Sequence, residues 1–308
     1  MGKFANISSV NRIAELEDAI TEVPFDIFGL SGTQRTGSAV LCLQKSNHFI
    51  FLSELTGFVV NKKWTDCCSF HTISRRVSFV DVTTASGPVR IVQVYAPTTT
   101  HADEEYEKFF EHISQALNTR THGIPGKTYH KIVVGDFNAK VGSGIADEEF
   151  IGPYGIRTRN ERGETLVKFC SETRLHLMNN RFKKRPSRKW TRISPNMKTR
   201  NAIDFVLSAD PATFLDVDII GRFNFVSDHR LVMAKARFKK KRHFFRRQHQ
   251  RTALDEENFP SALEQLTVTT ELSNYEELKM AIKLAASVSS TKQAKEKHIS
   301  EETRRLYG

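Results

Sequence analysis

The stretch "KIVVGDFNAKVG", residues 131–142, begins with an apolar, β-branched run that ends at Val134. Two polar residues, Asp136 and Asn138, closely follow this run. A carboxylate and an amide two residues apart, where a buried strand meets a loop, could orient an attacking water and donate to a developing negative charge. This is the chemistry of general-base and electrostatic catalysis. Taken alone, the pair is more typical of an Asx turn that ends a strand, because Asp and Asn both favour turns.

Three other stretches place polar residues beside apolar runs. They are "VYAPT" (94–98), "NAIDFVLS" (201–208) and "SDHRLVMAKAR" (227–237). The first puts Tyr95 at the end of its run, the second encloses Asp204, and the third sets Asp228 and His229 immediately before an apolar run. Because an unpaired charge is costly in a low-dielectric interior, each acid needs a partner. The available partners are one another, a divalent cation and His229.

These residue types suit the hydrolysis of phosphate esters. One or two carboxylates hold Mg²⁺ when waters and substrate phosphates fill the other coordination positions. Such an ion neutralises the phosphate, lowers the pKa of a bound water and stabilises the leaving oxygen. A histidine held by Asp204 has its tautomer fixed and its cationic form favoured, so that it can contact phosphate oxygens. The sequence therefore predicts a Mg²⁺ site, with Mn²⁺ as the alternative ion.

Hydrophobic periodicity predicts the elements that position these residues. Short apolar runs predict buried strands over 25–30, 57–60, 76–83, 89–95, 131–134 and 202–207. Helical spacing predicts amphipathic helices over 13–20, 104–117 and 161–174. Strands that alternate irregularly with helices, and that are mostly buried, predict an α/β or α+β sandwich whose helices pack outside the sheets.

The chain of 308 residues is long enough for one large domain and a smaller appendage, since single cores stop growing at roughly 250–300 residues. The composition changes at "FKKKRHFFRRQHQR", residues 238–251, where basic residues dominate. We therefore predict a domain over 1–237, a basic linker over 238–253 and a helical tail over 254–308.

Net charge and cysteine content limit the classes of function that the protein could have. A formal net charge of +11 favours a polyanionic partner such as nucleic acid, because clustered Lys and Arg release counterions from phosphate backbones. A solvated basic surface is the alternative. Four cysteines without a C-x-x-C spacing predict reduced thiols. Without an apolar run of signal-peptide or membrane-span length, the sequence predicts a soluble, intracellular protein that has no membrane partner and is not secreted.

In order and spacing, "VVGDFNAKVG", "VYAPT", "IDFVLS" and "SDHRLV" resemble the signature of the endonuclease/exonuclease/phosphatase family, to which pancreatic deoxyribonuclease and the apurinic/apyrimidinic endonucleases belong. "RNERGETLVKF", "RKWTRISPNMKTRNAIDFVLS" and "VSDHRLVMAKARF" further resemble the endonuclease module of RTE-like non-LTR retrotransposon (LINE) polyproteins. The resemblance covers about residues 10–240. It implies a deoxyribonuclease-like four-layer fold, a Mg²⁺-dependent endonuclease, DNA or alternatively RNA as partner, and a tail leading towards a reverse transcriptase that is absent here.

The resemblance also implies a role for each matching residue. Asp136 would orient or deprotonate the nucleophilic water. Asn138 and Tyr95 would contact the scissile phosphate. Asp204 would pair with His229.

Further roles are implied outside this group. Asp228 would lie beside the metal, with Asp136 as a second metal candidate. Asn160, in "RTRNERG", would match a family position that faces the phosphate. Trp190, which has four basic residues within five positions, could stack against DNA bases while its neighbours hold phosphates.

Gly32 departs from the family pattern. The metal-binding glutamate of the family stands in a context such as "GLSET", whereas this chain reads "GLSGTQRTG". The family's N-terminal asparagine is also not recognisable, since Asn6 and Asn11 do not fall in a convincing strand. Loss of the main metal ligand predicts impaired activity, because charge stabilisation is among the larger catalytic contributions.

Each candidate residue has a structural alternative. Asp228 and His229 could form a loop salt bridge or a helix cap. Asp204 could be a buried structural acid, Tyr95 a core aromatic, and Trp190 a half-buried surface residue. The basic stretch could be a solvated linker or a nuclear-localisation-like patch, which adds a nuclear location to the expectation.

Three functional hypotheses follow. The first is a Mg²⁺-dependent DNA nickase derived from a retrotransposon and impaired at Gly32. The second is a catalytically inactive remnant that binds nucleic acid. The third is a phosphoesterase of the same fold that acts on small substrates.

Overall fold

The computed structural model describes residues 2–3, 10–121, 129–238, 252–254, 258–269, 275–288 and 290–292. Two compact units divide the chain, Met1–Arg242 and His243–Gly308. Most of the predicted linker, the charged end of the tail and Asn6 lie outside the described residues. Within them, no helix combines the length and the apolar character that crossing a membrane requires. All four cysteines are free thiols.

In chain order, the helices are α1 (Val10–Thr21), α2 (Asp103–Asn118), α3 (Glu161–Thr173), α4 (Asn258–Thr269) and α5 (Tyr275–Val288). The strands of the first unit are β1 (Gly2–Lys3), β2 (Ile27–Ser31), β3 (Ala39–Cys42), β4 (Phe49–Leu52), β5 (Thr56–Val60), β6 (Cys68–Ser74), β7 (Val77–Thr84), β8 (Gly87–Tyr95), β9 (His130–Asp136), β10 (His176–Leu177), β11 (Arg192–Ile193), β12 (Arg200–Asn201), β13 (Asp204–Ser208), β14 (Phe214–Ile220) and β15 (Leu231–Ala236). Those of the second unit are β16 (Thr252–Leu254) and β17 (Ser290–Lys292). Short 3₁₀ helices span Lys62–Cys67, Met178–Arg181, Pro186–Arg188 and Pro211–Thr213.

The predicted helices are confirmed as α1, α2 and α3, and the predicted strands as β2, β5, β7, β8, β9 and β13, with ends that shift by up to three residues. Several strands were not predicted, among them β3 and β4, which are short apolar runs, and the longer β6 and β14. The sequences of β6 and β14, "CSFHTIS" and "FLDVDII", mix polar residues into the apolar pattern, so neither reads as a continuous buried run.

The site-bearing sheet has six strands in the order β10-β13-β9-β8-β7-β6. β8 and β9 are parallel, and the other pairs are antiparallel. A parallel pair needs a crossover connection, and the segment with α2 supplies it. Alternate residues such as Val92, Val94 and Val133 face outwards and pack in one buried cluster with Phe109 of α2 and Leu166 of α3.

A second sheet has five strands in the order β1-β2-β5-β4-β3. Its outer face packs against α1, whose Leu16 and Ile20 share a buried cluster with Phe28 and Leu30 of β2. Because side chains alternate along a strand, Gly29 and Ser31 of β2 point the other way, towards the six-stranded sheet.

The two sheets face each other, and hydrogen bonds connect their inner faces. The Ser31 hydroxyl donates to the Val94 carbonyl at 3.1 Å and accepts from the Gln93 amide at 2.6 Å. Gly29 permits this approach, since a Cβ there would lie 1.9 Å from Gln93 Oε1. The predicted two-sheet sandwich with outer helices is confirmed.

The β14–β15 pair covers a further part of the inner face. Val217 and Val232 of this pair pack in one buried cluster with Val89, Ile132 and Val206 of the six-stranded sheet. The pair matters for the site because His229 lies just before β15.

In the second unit, α4 contacts α5 and β16 pairs with β17 in antiparallel fashion. Both helices lie within the tail predicted over 254–308, and α5 buries Ala281, Leu284 and Ala285.

Candidate active site

Three functional side chains form a row across three neighbouring strands. Tyr95 ends β8 and pairs in register with Asp136, which ends β9, and Asp136 pairs with Asp204, which begins the antiparallel β13. Residues directly opposite on adjacent strands share a face of the sheet, with strands about 4.8 Å apart. Val94 and Phe205 point to the helices, so the row points to the inner face. Both carboxylates are buried and Tyr95 is half-buried.

The close approach of β8 and β9 beside this row depends on a glycine. A Cβ on Gly135 would lie 2.0 Å from the Val94 carbonyl oxygen. The glycine immediately before Asp136 therefore lets the two parallel strands meet at the level of the site.

His229 joins the row from the loop that precedes β15. Its Nδ1 lies 2.8 Å from Asp204 Oδ2, and neither side chain is more than 1% exposed. Asp136, Asp204 and His229 offer ligand atoms that all lie within 4.8 Å of one another. The structure thus brings together three of the residues whose chemistry the sequence singled out.

Asn138 shapes the loop after β9. It has a φ of 47°, its backbone amide donates to Asp136 Oδ1 at 2.9 Å, and its side-chain amide donates to the Ala96 carbonyl at 2.9 Å. The first bond is an Asx turn, and the second ties the loop to "VYAPT". The turn and the site therefore occur together, because the turn is what brings Asn138 beside the Asp136 carboxylate.

Thr191 supports the site and was not predicted. This buried hydroxyl accepts from the backbone amides of Ile203 at 3.1 Å and Asp204 at 3.2 Å. Its carbonyl accepts from the Arg230 amide at 2.7 Å. Thr191 therefore fixes the start of β13 and the residue after His229 together. Only the segment "RKWTR" could have drawn attention to it, since one buried threonine leaves no periodic signal.

Tyr106 and Arg162 hold the loops after β8 and β9 from behind. The Tyr106 hydroxyl donates to the Phe137 carbonyl at 3.1 Å, while Arg162 donates to the carbonyls of Pro97 at 2.6 Å and Thr98 at 3.0 Å. The Arg162 guanidinium lies 4.5 Å from the centre of the Tyr106 ring. Burial raises the pKa of Tyr106, so the hydroxyl keeps its proton and remains a donor. Helical spacing predicted the buried face of Tyr106 but not this bond.

Two predicted residues lie outside the buried cluster. The Asp228 side chain is exposed and pairs with Arg192, with Nε and Oδ2 3.3 Å apart. Asn160 caps α3, and its Oδ1 accepts from the backbone amides of Gly163 at 3.0 Å and Lys140 at 2.8 Å.

Trp190 is half-buried and also lies outside the cluster. The guanidinium carbon of Arg230 lies 3.2 Å from its ring centre, and that of Arg200 lies 5.1 Å away.

Gly32 lies just beyond the end of β2. It is buried, has a φ of +74°, and donates its amide to the Leu55 carbonyl at 2.8 Å. Since the neighbouring Ser31 bonds to Val94, the end of β2 meets the end of β8, where Tyr95 stands. The residue that replaces the expected glutamate therefore stands at the edge of the sandwich that carries the site.

The donor set fits a divalent cation. Carboxylate oxygens and imidazole nitrogens are ligands for such ions. Asp204 Oδ1 is buried and makes no hydrogen bond to any part of the chain that the structure describes. A buried carboxylate oxygen usually has a partner, and a bound cation would supply one.

Sequence comparison agrees with this geometry. Residues 89–233, which include Tyr95, Asp136, Asp204 and His229, match the family described as endonuclease-reverse transcriptase. The chain is 26% identical over 253 residues to craniofacial development protein 2 of Bos taurus, a match that covers 77% of this chain and 40% of that protein. The homologue from Tragulus javanicus is also 26% identical, with 42% of its length covered. The chain thus spans well under half the length of these curated relatives.

Solved structures share the fold. The endonuclease domain of TRAS1, a telomere-specific non-LTR retrotransposon, superposes with a TM-score of 0.50 at 14% identity, over 77% of this chain and 96% of that domain. An endonuclease/exonuclease/phosphatase family protein from Leptotrichia buccalis gives a TM-score of 0.50 at 11% identity, over 77% and 98%. These proteins share the two-sheet sandwich fold of this chain. The chain is thus similar in fold to endonuclease/exonuclease/phosphatase proteins, and its residues 89–233 are similar to the endonuclease-reverse transcriptase family.

Proposed function

We propose that this chain is a divalent-metal-dependent DNA endonuclease that nicks phosphodiester bonds, derived from an RTE-like retrotransposon and impaired at Gly32. The observation that supports it most is the buried cluster of Asp136, Asp204 and His229, in a row with Tyr95. Two acids and a histidine gathered at one sheet edge are the groups that water attack on a phosphate requires.

The protein residues divide the reaction between them. Asp136 takes a proton from the attacking water as the water oxygen bonds to phosphorus. The bond from phosphorus to the leaving sugar oxygen breaks, that oxygen takes a proton from solvent water, and Asp136 returns its proton to solvent. His229, whose Nδ1 is committed to Asp204, presents Nε2 to a phosphate oxygen. Tyr95 and Asn138, at the ends of β8 and β9, donate to the same phosphate.

A divalent cation belongs to this proposal. Asp136 and Oδ1 of Asp204 would hold it, and Mg²⁺ suits oxygen ligands, with Mn²⁺ as the alternative. When bound, the ion supplies charge neutralisation at the phosphate and a more acidic water. Asp228 as a metal ligand and Asn160 as a phosphate contact stay predictions. Both side chains already have partners within the protein, Arg192 for the former and two backbone amides for the latter.

Gly32 favours the rival function, an inactive remnant that binds nucleic acid. The net charge of +11 would serve binding whether or not catalysis survives. DNA is the proposed partner for both functions, RNA the alternative, and a nuclear location a prediction. A glutamate at residue 32 would also have to adopt a φ near +74°, a conformation that costs an L-residue about 1–2 kcal/mol.

Nicking of supercoiled plasmid in Mg²⁺ tests the proposal, with the chain as it stands, Gly32→Glu and His229→Ala. We expect weak nicking by the unaltered chain, about 10²-fold faster nicking by Gly32→Glu, as for restoring one major electrostatic group, and none by His229→Ala. The Tm of Gly32→Glu should fall because of its φ.

Other outcomes decide between the functions. Equal rates for the unaltered chain and Gly32→Glu would show that Gly32 is not the lost ligand position. Absence of nicking by both, with retained DNA binding, would replace the endonuclease with the binding remnant.

A further inference from the structure

A groove of about 450 Å³ lies around Trp190, with Arg157, Arg200 and Arg230 among its lining residues. Ile156 and Pro186 contribute apolar surface to it. The volume falls within the range of about 300–1,000 Å³ that is usual for ligand sites. Cationic groups beside an apolar wall suit a ligand that is anionic at one end and apolar at the other.

Two contacts position Arg230 in this groove. Its guanidinium carbon lies 3.2 Å from the centre of the Trp190 ring, and its Nη1 donates to the Ser187 carbonyl at 2.7 Å. Stacking of guanidinium on an indole face is attractive and fixes the plane of the group. Arg230 covers this face of the Trp190 ring, so the ring positions the arginine and that face is not available for stacking with a base.

The three arginines of the groove are not neutralised from within. In the ranges that the structure describes, no carboxylate pairs with Arg157, Arg200 or Arg230, whereas the nearby Arg188 and Arg192 each pair with an aspartate. The guanidinium carbons of Arg200 and Arg230 lie 5.1 Å and 3.2 Å from the centre of the same Trp190 ring, so the two cations repel each other. An anion in the groove would relieve this repulsion.

The groove adjoins the catalytic cluster through the backbone. Arg230 directly follows His229, and Trp190 directly precedes Thr191, whose hydroxyl accepts from the Asp204 amide at 3.2 Å. The groove and the cluster thus share two backbone segments, and a nucleic-acid strand carries further phosphates beside the one that would lie at His229.

We propose that this groove binds the nucleotide next to the scissile phosphodiester. Arg230, Arg200 and Arg157 contact its phosphate oxygens, and Ile156 and Pro186 contact its sugar and base. Trp190 acts through Arg230, which it orients. The site rests on the proposed function for its substrate class, and it explains how the chain would prefer a nucleic-acid strand over a small phosphoester.

Binding measured without metal tests the groove separately from catalysis. Fluorescence anisotropy of a labelled duplex in EDTA, at a series of salt concentrations, would compare the full chain with Arg230→Gln, Arg200→Gln and the control Arg120→Gln. Arg120 is an exposed arginine just after α2, at the sheet end opposite the site. We expect each groove variant to lose about tenfold in affinity, as for a lost charge-assisted hydrogen bond. The slope of log K against log salt should shrink by about 0.9 per lost phosphate contact.

The possible results distinguish the binding role of the groove from the proposed endonuclease activity. Groove variants that match Arg120→Gln in affinity and slope would overturn the proposal. If the variants lose binding as expected while no variant nicks plasmid, the groove stands and the endonuclease function fails. Trp190→Phe should keep most of the affinity, whereas Trp190→Leu should lose it in part, with unchanged Tm for Arg230→Gln as the check on folding.

Discussion

The two ends of strands β8 and β9 each carry a buried polar cluster, and the clusters differ in how completely they are satisfied. At the starting end of β8, Arg90 makes five hydrogen bonds: two to the Asp81 carboxylate at 2.7 Å, two to the carbonyls of Ala116 and Thr119, and one to the Thr121 hydroxyl. The guanidinium also lies over the Phe79 ring at 4.3 Å.

The cluster at the other end is composed of acids. Asp136 and Asp204 are adjacent in the ladder, with His229 as their neighbouring cation when it is protonated. Asp204 Oδ1 makes no hydrogen bond within the described part of the chain. A cluster in which every donor has an acceptor stabilises the fold. Neighbouring buried carboxylates with an oxygen that accepts no hydrogen bond are instead typical of a ligand-binding or catalytic site. In this sheet, the polar cluster at one end of the strands stabilises the fold, and the cluster at the other end forms the candidate active site.

The largest effect should come from Asp204→Asn. The variant keeps its size but loses the charge that orients His229, so we expect nicking to fall by about 10⁴-fold, as when the carboxylate of a His–Asp pair is replaced. The free energy of unfolding should stay the same or rise, because one buried negative charge is removed from beside another. Both are measured in whichever of the unaltered chain and Gly32→Glu is the more active. A large loss of stability would assign Asp204 to the scaffold.

Arg90→Leu should show the opposite profile. It leaves Asp81 buried without its partner and strips the α2 carbonyls of their donor, so we expect a loss of about 3–5 kcal/mol in the free energy of unfolding. Urea titration measures it. The double variant Arg90→Leu/Asp81→Leu should recover part of the loss, since it no longer buries an unpaired charge. A double variant as unstable as the single one would show that the α2 contacts, not the ion pair, carry the effect.

The sequence could predict the row of the site because its residues interrupt apolar runs. Asp136 and Asp204 end or begin strands that are otherwise buried, and periodicity locates such strands. Fold class followed from the same runs. The residue types allowed His229 to pair with Asp204, but only the resemblance selected that pair, since no local pattern connects residues 25 positions apart.

Other features depend on contacts that sequence patterns do not encode. Asp228 and His229 are adjacent and both polar, yet the backbone turns one to solvent and the other into the core. Asn160 satisfies backbone amides at the start of α3, a cap that its sequence context also permits. The stacking of Arg230 on Trp190 joins residues 40 apart and appears only once the chain is folded.

The smallest effect should come from Thr191, which links the catalytic edge to the groove. Thr191→Val keeps the shape but removes the acceptor of two buried amides, so we expect about 1–2 kcal/mol less stability and about a tenfold lower kcat from a displaced Asp204. KM should change little, because Thr191 touches no substrate. Thr191→Ser restores the hydroxyl and should recover kcat even if it packs less well. A serine variant as slow as the valine variant would show that the Thr191 methyl group, not its hydroxyl, sets kcat. Packing would then position Asp204, as the contact with Phe79 helps to position Arg90 at the other end of the strands.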